Sequence, residues 1–230
     1  MSDCSKLDKV KTFLQSYITT DPKERVKYYD VWAEKYEEDM SVAAYSAPTL
    51  AVNCLLSNFP GSREAALVLD VACGSGLVSK LMSELGFRHF VGVDGSKGML
   101  EQAAKTGLYQ DLRLALLGTQ PLPAQADMFD VVIMVGALRI GFAPVSVVRE
   151  LCHATKPGGL VCMTRIDYTE SGYDYKADLE RELQLMEEEG LWTRIDTEET
   201  DKYMLDVYTD NVKHGIYRAG RVYLYKKSLR

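Results

Sequence analysis

The sequence lacks the features that would assign it to several broad classes of protein. No run of about 18 apolar residues occurs, which is the length that crosses a bilayer, so we expect no membrane-spanning helix and no membrane partner. The first residues have no basic start followed by an apolar stretch, so we expect no signal peptide. The five cysteines are an odd number without paired spacing. This favours reduced thiols over a disulfide framework or a metal site, and it predicts a cytoplasmic protein, with the nucleus as the alternative.

Positive charge is also scarce. The chain has 27 Lys and Arg against 33 Asp and Glu, which gives a net charge of -6. General nucleic-acid binders normally present a basic face, so we expect no general nucleic-acid binding. With 230 residues and 47% hydrophobic composition, the chain suits one substantial α/β domain. Composition therefore favours a monomer that recognises a small molecule or a protein.

One stretch, residues 66–76 (ALVLDVACGSG), combines an apolar run with an acid and two glycines. A short continuous apolar run is typical of a buried parallel strand. Gly74 and Gly76 let the chain turn sharply and bring backbone close to a ligand. A helical pattern begins at Leu77, so the turn also presents the free amides of a helix N-terminus. Strand, glycine turn and helix together predict a cradle for a nucleotide-type cofactor.

The first 60 residues precede this strand and are predicted to be helical. Asp21-Pro22 offers a helix cap and a first-turn proline. The helix that follows carries Tyr29, Trp32 and Tyr36 along one side, with the acids of 37–39 near its C-terminal end, where they oppose the helix dipole. Aromatic residues at helical spacing are as typical of a core as of a lid, so both interpretations stay open.

Strands and helices alternate through the rest of the chain, and the last part reads as an antiparallel pair of strands. This order predicts an α/β fold with a doubly wound, Rossmann-like sheet, a C-terminal antiparallel hairpin and an N-terminal helical extension. We predict one domain overall, with residues 1–60 as the extension or lid and 61–230 as the cofactor-binding core. The predicted strands after the first are 90–94, 112–117, 129–135, 160–166, 192–203 and 215–226.

The glycine turn is a poor match to the dinucleotide fingerprint G-x-G-x-x-G. Its third glycine is replaced by Ser79 in one frame and by Leu77 in the other. Asp70 ends the preceding strand, and a carboxylate there repels a pyrophosphate but favours a cation. A cofactor that carries an ammonium group and a sulfonium, without phosphate, suits this turn better.

At this point the chain resembles the class I S-adenosylmethionine (SAM)-dependent methyltransferases. Several motifs occur in the family's order, and together they are far more specific than one glycine pair. The resemblance implies a Rossmann-like methyltransferase fold, SAM as cofactor, and methyl transfer by in-line displacement to a small-molecule or protein acceptor. The segments that carry it lie within roughly residues 64–167 and are 69–76 (LDVACGSG), 92–100 (GVDGSKGML), 122–123 (LP), 129–132 (FDVV) and 156–159 (KPGG).

The resemblance also implies roles for matching residues. Asp70 would orient the ammonium end of the cofactor, and Asp94 would bind both ribose hydroxyls through its two oxygens. Side chains and backbone after the second, third and fourth strands would contact adenine and the sulfonium. The segment 28–36 (YYDVWAEKY) would fold over the cofactor as a lid that is mobile without it. The residues implied to bind the cofactor are Tyr29, Trp32, Tyr36, Asp70, Ala72, Gly74, Gly76, Asp94, Gly95, Ser96, Met99, Gly118, Thr119, Val135 and Gly136.

Two positions depart from the family pattern, and they bear on the cofactor's fit. Ala72 replaces the usual first glycine and narrows the turn. Gly118 stands where many members have an acid that bonds the adenine amino group, which leaves a backbone contact from Gly118 or Thr119.

The acceptor and the catalytic residues stay unidentified at this stage. Residues 135–139 (VGALR) lack the polar-Pro-Pro-aromatic signature of base amino-methylation. Arg139, Tyr168 and Tyr173 follow the ends of strands and are candidates for lining an acceptor pocket. Two alternatives remain, a non-catalytic SAM-binding regulator or scaffold and, less favoured, a nicotinamide oxidoreductase.

Overall fold

A seven-stranded mixed sheet with helices on both faces forms the centre of the protein. The computed structural model describes residues 3–15, 21–167, 175–207, 209 and 215–229. The spatial strand order is β3-β2-β1-β4-β5-β7-β6. The first five strands are parallel, while β7 runs antiparallel to both β5 and β6. The strands are β1 (Leu67–Val71), β2 (His89–Asp94), β3 (Tyr109–Leu114), β4 (Phe129–Met134), β5 (Thr155–Ile166), β6 (Trp192–Leu205) and β7 (Tyr217–Lys227).

The helices follow the alternation that the sequence predicts, so the α/β Rossmann-like class and its C-terminal hairpin are confirmed. Helices connect the parallel strands except β3 and β4, which are joined by the loop of residues 115–128, and the strand order reverses between β1 and β4. Ligands of such sheets bind at this switch point, beyond the carboxyl ends of the strands. The helices are α1 (Asp3–Gln15), α2 (Pro22–Trp32), α3 (Tyr36–Val42), α4 (Ala47–Asn58), α5 (Leu77–Glu84), α6 (Lys97–Lys105), α7 (Val147–Ala154) and α8 (Tyr175–Glu188).

Alternate residues of the central strands feed two separate cores, one on each face of the sheet. Leu69 and Val132 pack into the core beneath α7 and α8, whereas Val68 and Val131 pack against α4 and α5. Strands buried on both faces need apolar residues at most positions, which is why β1 and β4 are apolar apart from Asp70 and Asp130.

The third strand lies at the edge of the sheet and is shifted from the predicted 112–117. It covers Tyr109–Leu114, and Leu114 is 59% exposed. An edge strand with one neighbour needs no continuous apolar run, so the apolar pattern at 114–117 was misleading. Leu116 and Leu117 instead follow the strand and point toward the cavity described below.

Two helices occur where the sequence predicts one with acids near its end. Asp21 caps α2 by accepting hydrogen bonds from the backbone amides of Lys23 and Glu24, as predicted. The chain then breaks at 33–35, and α3 begins at Tyr36. The acids of 37–39 therefore lie in the first turn of α3, where they stabilise the helix dipole instead of opposing it.

The spacing of Leu77, Leu81 and Leu85 predicts that these leucines form the buried face of α5. In the structure the buried face is shifted from them. Val78 and Met82 are buried, whereas Leu85 is 37% exposed. The helix begins only after the left-handed Gly76, and its orientation on the sheet is set by that turn.

The N-terminal helices pack near β6, which lies at one edge of the sheet. Val10 and Leu14 of α1 and Trp32 of α2 share one buried cluster with Tyr203 and Met204 of β6. The division of the chain at residue 60 stays a prediction.

Within the described residues, no single helix is long and apolar enough to span a membrane, and only α3 and α4, which meet at 86°, pass that test as a bent pair.

Leu69→Ala and Leu114→Ala compare how much the central core and the edge of the sheet contribute to the free energy of unfolding. Leu69 is 0% exposed, so truncation should lower the free energy of unfolding by about 2–5 kcal/mol through lost burial and a cavity. Leu114→Ala, the same change on the exposed edge strand, should stay within about 0.5 kcal/mol. Urea unfolding of both variants measures the difference, and equal losses would contradict this placement of the core.

Candidate functional site

A cavity lies where the strand order reverses, beyond the carboxyl ends of β1, β2 and β4. The cavity and its open mouth together contain about 750 Å³ of empty space. The structure brings many of the predicted site residues together in its wall: Tyr29, Tyr36, Ala72, Gly74, Asp94, Gly95, Ser96, Met99, Val135 and Gly136.

Asp94 ends β2 and joins the two turns that form the floor of the cavity. Its Oδ2 accepts the backbone N–H of Gly74 at 2.8 Å, and its Oδ1 accepts the N–H of Ser96 at 2.8 Å. Burial raises the pKa of Asp94, while these backbone hydrogen bonds oppose the rise. Each carboxylate oxygen has a further lone pair, so both can still accept a hydroxyl from a ligand.

Asp70 lies behind the glycine turn and does not line the cavity. It is 1% exposed, and its Oδ2 accepts the Tyr109 hydroxyl at 2.7 Å. Burial raises the pKa of Asp70, the Tyr109 hydrogen bond lowers it and the nearby charge of Asp94 raises it, and together they bring it to about 7. The buried Asp70 and the half-buried Asp94, two carboxylates near one turn, give this part of the protein a preference for a cation.

The turn after β1 uses left-handed backbone at three positions. Gly74 and Gly76 have φ of 55° and 92°, as glycine permits. Ala72 has φ of 56°, a conformation that is strained for a residue with a side chain. Ala72 therefore adopts, at a cost in backbone strain, a left-handed conformation that glycine adopts without that cost. Gly76 lies at the N-terminus of α5 but is absent from the cavity wall.

Helix α2 closes over the cavity and is fastened to α6 by Asp30, which the sequence reasoning missed. Asp30 Oδ1 accepts hydrogen bonds from Ser96 Oγ at 2.6 Å and from the Gly98 amide at 2.9 Å. A side chain on Gly98 would place Cβ 2.6 Å from the Asp30 carbonyl oxygen, so glycine is required for this approach. The signal in the sequence was the repeated glycine of 95–98, which permits close backbone contact.

Trp32, Gly118 and Thr119 lie outside the cavity wall. Trp32 is 3% exposed, packs among the aromatic rings of the N-terminal helices and donates its Nε1 hydrogen to Asp39 at 2.8 Å. Gly118 and Thr119 line a different surface cavity, because β3 ends earlier than predicted. Leu116 and Leu117 occupy the corresponding part of the wall instead. For Trp32 the core alternative describes its position better than the lid alternative.

Tyr45 is a cavity residue that sequence reasoning missed. Its hydroxyl lies against Gly136, where an added Cβ would stand only 2.2 Å from the oxygen. Tyr203 on β6 and Thr164 on β5 complete a polar group beside it, with 2.8 Å between their hydroxyl oxygens. These residues are far apart in the chain and no motif connects them, so only the pairing of β5, β7 and β6 brings them to one place.

Arg139 packs near the cavity without belonging to its wall. Its guanidinium lies 3.7 Å from the centre of the Phe142 ring, and that of Arg25 lies 3.9 Å from the same centre. Two guanidinium groups this close to one ring must stack on its opposite faces. Phe142 and Arg25 line the cavity. The other two acceptor-pocket candidates, Tyr168 and Tyr173, lie outside the described residues.

One group of ligand-type side chains lies elsewhere, between α4 and β6. The ligand atoms of Cys54, Asp196 and Glu198 lie within 4.8 Å of one another. Burial and the neighbouring acids together raise the pKa of Cys54 to about 12. A protonated thiol is a poor metal ligand, and the absence of a metal site stays a prediction.

Asp70→Asn tests the buried carboxyl through pH. Because the folded pKa of Asp70 lies near 7, above its unfolded value of 3.8, its stabilising contribution is complete below about pH 4 and is lost as pH rises through 7. The variant should lose this dependence, so its stability relative to the parent should increase between pH 4 and pH 8. Urea unfolding across this range measures the effect, and Glu101→Gln, at an exposed carboxyl on α6, is the control. A difference that stays constant with pH would contradict the assignment.

Comparison with known proteins shows which family of proteins this chain is similar to. A methyltransferase-domain family model matches residues 68–159. Human methyltransferase-like protein 27 is 48% identical over 169 residues, which cover 74% of this chain and 68% of the relative. A probable 18S rRNA (guanine-N(7))-methyltransferase of Dictyostelium discoideum is 28% identical over 129 residues, 56% of this chain but only 41% of that protein.

Solved structures agree on the fold. A SAM-dependent methyltransferase from Thiobacillus denitrificans, in complex with S-adenosyl-L-homocysteine, superposes with a TM-score of 0.53 at 14% identity, covering 80% of this chain and 92% of the other. The motifs also resemble those of the methyltransferase-like protein of the Williams–Beuren syndrome chromosome region, and that finer resemblance stays a prediction. The comparisons favour the methyltransferase prediction over the nicotinamide alternative. With its ordered motifs, its cavity at the switch point and a relative of 48% identity, the chain belongs to the class I SAM-dependent methyltransferases, and its cofactor is SAM.

Proposed function

We propose that the protein transfers the methyl group of SAM to a small-molecule acceptor, inside the cavity beneath α2. The observation that carries the proposal is the way this helix covers the cavity, fastened through Asp30 to Ser96 and Gly98. A cavity under a helical cover admits a small molecule beside a cofactor more readily than a folded macromolecule.

The residues of the cavity fit SAM in polarity and shape. We propose that Asp94 accepts the ribose hydroxyls through its remaining lone pairs, since both oxygens face the turns of the floor. Met99, Leu116 and Leu117 offer an apolar surface for adenine. Gly74 permits close approach of the amino-acid end, where the negative charge of Asp70 favours an ammonium group.

SAM supplies a methyl group on a sulfonium, which is electrophilic without further activation. The acceptor's lone pair attacks the methyl carbon in line with the departing sulfur, which keeps the electron pair of the broken bond. The protein's part is then to align the acceptor and to exclude water. We propose that Val135 and Gly136 lie beside the reacting centre, where α2 shields the cavity from solvent.

Macromolecular acceptors are the competing outcome. The Dictyostelium relative is named for rRNA, and a relative from Ruegeria pomeroyi is named for ubiquinone biosynthesis, so names within the family span both kinds of acceptor. The net charge of -6 disfavours an RNA acceptor for this chain.

Methyl transfer from labelled SAM into fractionated cell extract tests the proposal. The protein is incubated separately with the small-molecule filtrate, the protein fraction and the RNA fraction. We expect label to accumulate in the filtrate, and label confined to RNA or protein would contradict a small-molecule acceptor. Binding of SAM without transfer into any fraction would support the non-catalytic alternative.

Asp94→Asn and Asp94→Ala test the ribose contact. A hydrogen bond to a charged group contributes about 1.5–3 kcal/mol, so Asp94→Ala should weaken SAM binding by more than about tenfold and Asp94→Asn by less. Calorimetry measures both, with thermal unfolding as a check on the fold and Asp111→Asn, an exposed acid on β3, as control. Unchanged affinity in a folded Asp94→Ala protein would remove the ribose role.

Gly98→Ala tests whether the closure of α2 over the cavity contributes to SAM binding. The new Cβ meets the Asp30 backbone, so α2 must move away, at a cost of about 1–3 kcal/mol. We expect faster amide hydrogen exchange in α2 and a SAM affinity about tenfold weaker. Gly107→Ala, just beyond the opposite end of the same helix, is the matched control, because it strains a backbone with φ of 67° but meets nothing within 4 Å. Equal effects of both changes on SAM affinity would contradict the role of the cover.

A further inference from the structure

A second cavity lies on the other side of the glycine turn, between α5, α6 and the connection of α2 to α3. The cavity and its open mouth together contain about 550 Å³ of empty space. Among the described residues, none lines both this cavity and the cofactor cavity. The turn after β1 separates the two, because Gly74 lines the cofactor cavity and the next residue, Ser75, lines this one. We call it the Ser75 cavity.

Ser75 is the buried polar side chain of this cavity. It is 2% exposed, and its hydroxyl oxygen has no hydrogen-bond partner in the part of the chain that the structure describes. A buried hydroxyl without a partner costs free energy, which a ligand in the cavity can recover. Ser75 directly precedes Gly76, the N-cap of α5, and glycine has no side chain to cap the free amides of that helix. The unpaired hydroxyl and the positive end of α5 together favour a carboxylate at this end of the cavity.

The walls of the Ser75 cavity carry opposite charges. Lys80 of α5 and Lys105 of α6 lie on the wall that belongs to the core. Glu34, between α2 and α3, and Glu37, in the first turn of α3, lie on the opposite wall. Two cations and two anions give this wall no net charge, so neither a simple anion nor a simple cation is favoured over the other. A ligand that carries both charges is complementary to both walls.

One of the two charge pairs already joins the walls. Lys80 Nζ donates to both carboxylate oxygens of Glu37, at 2.6 and 2.8 Å. Lys105 Nζ donates to Gln102 Oε1 on its own helix at 3.2 Å, and an ammonium group has two further hydrogens to donate. Lys105 and Glu34 are therefore the charged groups that the Lys80–Glu37 ion pair leaves for a ligand.

We propose that the Ser75 cavity binds a small zwitterion of the amino-acid type. Its carboxylate lies against Ser75 and Lys105, and its ammonium group lies against Glu34. This ligand is additional to SAM and to the methyl acceptor, so the inference goes beyond the proposed function. The bound zwitterion joins the connection between α2 and α3 to the core, beside the ion pair that already does so.

Three small probes separate the classes of ligand. Glycine carries both charges, acetate carries only the carboxylate, and methylammonium carries only the ammonium group. Each is titrated into protein saturated with S-adenosylhomocysteine, and the amide NMR signals of residues 74–80 and 102–107 are followed. We expect saturable shifts with glycine and binding about twofold to fivefold weaker for each of the other probes, since each lacks one charge contact. Acetate that binds as tightly as glycine would overturn the zwitterion.

Three variants each remove one proposed contact. Ser75→Ala should weaken glycine binding by about twofold to tenfold. Its thermal midpoint without ligand should not fall, because the hydroxyl has no hydrogen bond to lose within the described residues. Lys105→Gln and Glu34→Gln should each weaken glycine binding by about twofold to fivefold. Lys97→Gln, at the other end of α6 with a side chain 77% exposed, is the matched control and should change nothing. Glycine affinity that is unchanged in all three variants would overturn the inference.

Hydrogen exchange tests the position of the ammonium group. A ligand held by Glu34 fastens the connection between α2 and α3 to α5 and α6, so saturating glycine should slow the exchange of the amides of residues 33–37. Exchange that stays unchanged in these residues while glycine binds would overturn the contact with Glu34.

Competition with the cofactor product distinguishes the Ser75 cavity from the cofactor cavity. The glycine shifts should be the same with and without S-adenosylhomocysteine. Glycine that binds only in its absence occupies the cofactor cavity, which would overturn the inference while the proposed function stands. A protein that does not bind S-adenosylhomocysteine would overturn the proposed function instead, and the glycine titration would still test the Ser75 cavity.

Discussion

The carboxylate of Asp94 is the contact on which the rest of the site depends. One oxygen holds the turn after β1 and the other holds the turn after β2, so two parallel strands end in one shared floor. The turn after β2 in turn supports the cover, because Ser96 caps α6 through Met99 and donates its hydroxyl to Asp30. Floor and cover are thus connected through one side chain, and a ligand that binds Asp94 contacts both.

A second buried acid gives the site its electrostatic character. Asp70 is buried and Asp94 is half-buried, and the charge of Asp94 lies close enough to raise the pKa of Asp70. Such a pair resists ionisation until a cation or a hydrogen-bond donor compensates. This arrangement is unfavourable for a pyrophosphate and favourable for a cofactor with an ammonium group, which agrees with a family that uses SAM.

The segment before the first strand contributes more than a cover. Its α2 closes the cavity through Asp30, and the connection between α3 and α4 delivers Tyr45 to the end of β4. The position of Tyr45 depends on the hairpin of β6 and β7, because β6 supplies Tyr203 and the backbone groups that fasten residues 43–46. The wall of the cavity is thus built from the sheet and from elements of the N-terminal segment.

By itself the sequence determined the strand, glycine turn and helix of 67–84, the acids Asp70 and Asp94, and the order of the parallel strands. These follow from local physics, since apolar runs, glycines and caps act over a few residues. It misplaced the break between α2 and α3, the buried face of α5 and the end of β3, where burial and neighbouring elements outweigh local pattern. Only the tertiary structure brought Tyr45, Thr164 and Tyr203 together, because Thr164 and Tyr203 meet through the pairing of β5, β7 and β6, and Tyr45 comes from a distant part of the chain between α3 and α4.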